Sequence, residues 1–206
     1  MDNFDQLKSE LTTIQRLAAG NGANGFFGQE VLRFHSIAGT LIENFNLTKT
    51  SSVDERYITH ILSRSLLENY FWLIYIFDDS TKKEMRYGEV INSFKRDYLK
   101  LLNEKQLPDK DKLEPADSSW SSLPRAMNVS SMLTQVTNDY DDRLNYLYFI
   151  YRITSFDTHG KNMNVILKTV FRKDCNFPVL DLNVAVDLVA NHYLVILQGL
   201  RTQGEI

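Results

Sequence analysis

Arg152 and His159 stand seven residues apart in the segment Tyr151-Arg152-Ile153-Thr154-Ser155-Phe156-Asp157-Thr158-His159. On a helix this spacing puts both side chains on one face, about 10 Å apart along the axis. Ser155 falls on the same face, four residues before His159. A guanidinium offers forked donors to phosphate oxygens. An imidazole with a near-neutral pKa moves protons. The combination suits phosphate chemistry. It also suits a plainer arrangement, in which His159 caps the end of its helix and Arg152 lies on a solvated face. The spacing leaves both open. A Ser155–His159 hydrolase would need a strained nucleophile elbow and an oxyanion hole, and the chain has no motif for either.

His60, Arg64 and Glu68 form a second polar stripe, each four residues from the next. Arg64 and Glu68 are spaced for an ion pair. They enter the most apolar run of the chain, Leu66 to Phe77. The pair reads either as a salt bridge on a helix flank or as the lining of a polar pocket.

Charge sharpens the first pattern. Between Arg143 and Lys173 the basic residues are Arg143, Arg152, Lys161, Lys168, Arg172 and Lys173, and the one acid is Asp157, a local net of +5. The 206 residues together carry −3, so the remainder is near −8. Such a balance argues against non-specific coating of DNA or anionic membrane and allows a small, local phosphate site.

Helices must position these residues. Phe4, Leu7, Leu11, Ile14 and Leu17 recur at helical spacing, and this first helix is expected to stop at a flexible turn, Gly20 to Gly25. Val31 to Phe45 repeats the pattern. Ser52 and Glu55 make a capping box, with Asp54 and Glu55 at the positive end of the dipole, for a long helix to about Phe77. Its second half is apolar all round and is expected in the core. Asp78-Asp79-Ser80 ends it. Another helix spans roughly Lys82 to Asn103, with Met85, Ile91, Phe94, Tyr98, Leu101 and Leu102 on its inner face. Residues 105–119, with Pro108 and Pro115, form an exposed connection. Ser122 and Pro124 mark a helix start reaching about Val136. Asn138 caps a helix ending at His159-Gly160, and Asp181 caps the last one. Residues 165–171 fit either helix or strand. The fold class expected is all-α, an up-and-down bundle of six or seven helices in one domain over 1–206.

Several chemistries are excluded. The single Cys, Cys175, rules out a disulfide framework and a cysteine-cluster zinc site, and fits a reducing compartment. Cys175 has no nearby His and reads as an inert thiol. Gly20 to Gly25 matches a dinucleotide-binding glycine pattern, but a helix precedes it where that motif needs a strand. Neither a P-loop lysine nor a Glu-x-x-His or His-Glu-x-x-His motif occurs. The acidic N-terminus is not a signal peptide, and no run reaches the roughly 20 apolar residues of a membrane span. A cytoplasmic protein is expected.

The Arg152-x6-His159 pair on a late helix of an all-helical chain resembles the R-x(4-6)-H motif of the HEPN superfamily. The wider pattern is similar to an uncharacterised bacterial family near it, with an Arg-x-x-x-Glu helix (Arg64, Glu68) and a Tyr-x-x-x-Ser-x-x-x-His-Gly segment (Tyr151, Ser155, His159, Gly160). The resemblance covers roughly residues 30–165. It implies a HEPN-like bundle and a metal-independent ribonuclease with no cofactor. It further implies a homodimer and a place in a toxin–antitoxin or anti-phage system, with an antitoxin or defence partner. Arg152 and His159 would be catalytic, with Tyr151, Ser155, Lys161, Arg64 and Glu68 binding RNA or nucleotide. Ile153 stands where HEPN ribonucleases often carry a polar residue. Two alternatives are a non-catalytic regulatory or interaction bundle, and a small-molecule enzyme whose pocket gathers Arg64, Glu68, Ser155 and His159.

Overall fold

The computed structural model describes residues 2–47, 52–137, 142–159, 163–173 and 180–206. Among these residues the chain is helix-only, with nine α-helices and no strand. They are α1 (Asp2–Ser9), α2 (Leu11–Ala18), α3 (Gly22–Asn44), α4 (Val53–Phe77), α5 (Lys83–Leu102), α6 (Val129–Leu133), α7 (Asp142–Thr158), α8 (Met163–Phe171) and α9 (Leu182–Thr202). Two short 3₁₀ turns, Lys110–Lys112 and Ser118–Ser122, lie within the connection after α5. Two compact units emerge, one of residues 1–70 and 137–206, the other of residues 71–136.

The count exceeds the six or seven helices expected, for local reasons. The first periodic stretch is two helices. Glu10 is a turn residue between α1 and α2, with φ −91° and ψ 0°, and its carboxylate takes two hydrogen bonds from Arg201, at 3.0 and 2.6 Å. The Asp187 carboxylate caps α1 from a distance, accepting from the backbone N–H groups of Asn3 and Phe4. Residues 165–171 belong to a helix, α8.

The glycine stretch is not the flexible turn expected. Gly22 takes φ +73° and starts α3 at once. Gly25 and Gly28 then press against the preceding chain. A Cβ on Gly25 would lie 2.1 Å from the Gly20 carbonyl oxygen, and one on Gly28 would lie 2.4 Å from the Ala18 nitrogen. These glycines let α3 pack on α2 backbone to backbone. In the same unit Tyr193, fully buried, meets the rings of Phe27 and Phe34 edge-on at 6.0 and 5.1 Å.

Helix α4 starts as its sequence predicts. Ser52 N–H donates to Glu55 Oε2 at 3.0 Å and Glu55 N–H to Ser52 Oγ at 3.2 Å. The Ser52 backbone N–H, together with the Ser52 hydroxyl and the Asn46 N–H, holds the Glu55 carboxyl below its usual range. Asp181 caps α9 through Val184 N–H, as expected.

In the second unit, Phe71 and Leu73 to Ile76 are buried around α4's last turns. The expected inner face of α5 holds only in part: Ile91, Phe94, Tyr98 and Leu102 are half-buried, but Met85 is 57% exposed and Leu101 is exposed, while Lys83, Arg86 and Val90 are buried. Arg86 explains the shift. It donates to the carbonyls of Tyr75 (2.6 Å) and Gln135 (3.2 Å), lies 3.6 Å from Asp78, and covers the Tyr75 ring. With Asp78 beside it the guanidinium is buried without an orphaned charge, although its Nε has no hydrogen-bond partner among the described residues. The helix expected from Ser122 begins only at Val129. Arg96 bonds the Leu123 carbonyl, and Asn128 caps α6 through Ser131 N–H. Asn138, Gly160, Lys161 and Cys175, which the sequence singled out, lie outside the described residues.

Candidate functional site

The polar stripe of α4 faces the polar stripe of α7 within the first unit. The i, i+4 spacing that aligns His60, Arg64 and Glu68 also aligns Tyr151 and Ser155. Arg64 is the hub. Its Nε donates to Ser155 Oγ at 2.8 Å and its NH1 to Glu68 Oε2 at 2.7 Å. Its guanidinium carbon sits 3.8 Å over the centre of the Tyr151 ring. Tyr148 stacks on Tyr151 from the same helix.

Ser155 is not a free nucleophile. Its hydroxyl donates to the Tyr151 carbonyl at 2.7 Å while accepting from Arg64. Its role is to hold the guanidinium in plane. Burial pushes the Tyr151 phenol up, against the pull of Arg64.

Arg64, Tyr151, Arg152, Ser155, Phe156 and His159 line one open cleft of about 280 Å³. Arg152 and His159 are exposed, and neither side chain makes a hydrogen bond or ion pair among the described residues. His159 lies one residue beyond α7, its backbone N–H bonded to the Ser155 carbonyl at 3.3 Å. Arg64 uses two of its five N–H groups on Ser155 and Glu68, and the others remain for a ligand. Glu68 does not line the cleft. It serves through Arg64, offsetting its charge. Phe156 joins the lining without having been expected there.

Beneath the cleft lies a contact that no motif announced. His60 Nδ1 and Asp157 Oδ2 are 2.6 Å apart and both residues are buried. His60 belongs to the α4 stripe, but nothing in the spacing of the chain ties it to an acid 97 residues later.

The arrangement can bind an anion. Three cationic or proton-bearing groups converge, two aromatic rings flank them, and the carboxylates of Glu68 and Asp157 are already engaged, with Arg64 and His60. Among the described residues, no three His, Cys, Asp or Glu side chains cluster as metal ligands would. No helix among them is long and apolar enough to cross a membrane. No protein-family model, curated protein or solved structure matches this chain.

Proposed function

We propose that the cleft of α4 and α7 takes a backbone phosphodiester of RNA, and that the chain is a HEPN-like RNA-binding protein that cleaves through Arg152 and His159. One observation carries this reading: Arg64, Arg152 and His159 converge on a cleft walled by Tyr151 and Phe156. Glu68 cancels the charge of Arg64, so the net positive charge is small. That balance suits the single negative charge of a phosphodiester better than a nucleoside triphosphate. Phe156, half-buried at the cleft wall, suits an unpaired base.

In this reading His159 accepts the proton of the 2′-hydroxyl as its oxygen attacks phosphorus, or protonates the departing 5′-oxygen. Arg152 and Arg64 neutralise the charge that gathers on the phosphoryl oxygens. The P–O5′ bond breaks, leaving a 2′,3′-cyclic phosphate and a 5′-hydroxyl. A homodimer would supply a second His159 for the other proton. A cytoplasmic toxin–antitoxin or anti-phage system, with an antitoxin or defence partner, is the proposed setting. Ile153, apolar beside Arg152, favours one variant of the reading, in which the cleft binds RNA without cutting it.

The test is incubation of purified protein with single-stranded RNA in EDTA. Cleavage that disappears in a folded His159→Ala variant supports the enzyme. Binding without cleavage leaves the non-catalytic variant. Neither binding nor cleavage at high protein concentration overturns the proposal.

A further inference from the structure

Asp157 violates a local rule. It is an acid in the last turn of α7, where the helix dipole is negative and where no basic residue lies, and it is only 7% exposed. Local energetics would place a Lys or a solvated side chain there. Such a conflict persists only where a tertiary contact requires it. The contact is His60, whose Nδ1 lies 2.6 Å from Asp157 Oδ2. The acceptor is a carboxylate, so Nδ1 carries the proton. The other ring nitrogen, Nε2, is buried with no hydrogen-bond partner among the described residues. Among the described residues His60 therefore has one polar contact, and that contact is the last turn of α7.

That turn carries the cleft. Ser155 and Phe156 precede Asp157, and His159 follows two residues later. Helix α7 ends at Thr158, one residue before His159. One turn further along α4, Arg64 binds Ser155. Two bonds between the same helices, one turn apart, thus pin the last turn of α7 to α4. Arg64 holds it from inside the cleft and His60 from beneath.

We infer that the buried His60–Asp157 hydrogen bond is a positioning device that keeps the final turn of α7 wound so that His159 faces the cleft beside Arg64. His60 is a positioning residue and touches no ligand. The inference rests on the phosphate-site reading for its effect on binding, but its structural part stands alone.

The test uses the full chain with His60→Phe, which keeps a ring and loses the donor, and His60→Asn, whose amide nitrogen falls where Nδ1 was. Binding of a short fluorescein-labelled oligouridylate is read by anisotropy in EDTA, with folding checked by circular dichroism. His60→Phe should bind about tenfold more weakly and His60→Asn near wild type. In a His159→Ala background, His60→Phe should cost nothing further. An equal loss in both backgrounds overturns the inference, because His60 then does not act through His159. If the wild-type chain binds no oligouridylate, the phosphate-site reading fails, and amide hydrogen exchange over 152–159 decides the inference. Faster exchange in His60→Phe with wild-type exchange in His60→Asn supports it. Exchange unchanged in His60→Phe overturns it. Should His60→Phe not fold, Asp157→Ala replaces it with the same outcomes.

Discussion

The guanidinium of Arg64 lies over the ring of Tyr151, 3.8 Å from its centre, while its Nε donates to Ser155. Stack and hydrogen bond together fix the plane of the guanidinium and leave its outer N–H groups toward the cleft. A lysine can reproduce neither constraint. Arg64→Lys is therefore expected to lower stability by about 1–2 kcal/mol and to weaken oligonucleotide binding. The partly exposed Glu68 adds little to that figure, since solvent screens the pair. Urea unfolding and anisotropy together check both effects. A stability at the wild-type value would show that the stack contributes nothing.

Among the described residues the Arg152 side chain makes no hydrogen bond or ion pair. Its replacement by Ala should leave the urea midpoint within experimental scatter. It should weaken RNA binding for all sequences alike and reduce the slope of log affinity against log salt by about one phosphate contact. An unchanged salt slope would place Arg152 outside the bound phosphate.

Four helical glycines form two contrasting pairs. Gly25→Ala and Gly28→Ala would drive a methyl into backbone atoms of Gly20 and Ala18 and should destabilise by roughly 2–3 kcal/mol. Gly88→Ala in α5 and Gly199→Ala in α9 meet nothing within 4 Å. Both should stabilise by roughly 0.5–1 kcal/mol, through helix propensity and a less flexible unfolded chain. Denaturation midpoints that move the same way in all four variants would contradict the packing described.

His192 predicts the response to acid. It is buried against Tyr70, whose hydroxyl oxygen lies 2.5 Å from Nδ1. Burial, with a smaller push from Arg143, lowers its pKa to about 4 from an ordinary 6.5. The unfolded chain therefore binds the proton first. The stability linked to His192 is complete above pH 6.5, falls as pH drops from 6.5 toward 4, and is flat below. The loss is on the order of 3 kcal/mol. Burial lowers the pKa of His35 as well, adding in the same direction. Unfolding free energies across this window should show the fall, and His192→Asn, which keeps a polar atom for Tyr70, should flatten most of it.

Caps and ion pairs at helical spacing were legible in the residues alone. The Ser52–Glu55 box, the Asp181 cap and the Arg64–Glu68 pair all act within four residues, so their partners are neighbours in the chain. The face of α5 was legible only in part. A buried arginine overrode its apolar pattern, and the carbonyls and carboxylate that make this burial tolerable come from other segments. The glycine corner has the composition of a loose turn. Its rigidity comes from a backbone neighbour that composition does not show.

The candidate site divides along the same line. Periodicity placed Arg64 with Glu68 on one helix, and Arg152, Ser155 and His159 on another, because a helix of known pitch fixes which side chains share a face. That Arg64 reaches Ser155, and that His60 meets Asp157 under the same turn, depends on how α4 and α7 pack. Both bonds join residues more than 90 positions apart. Pitch is a property of each segment, while packing between distant segments is settled by the whole core, and so the pairing of the two stripes was written in no single stretch of the chain.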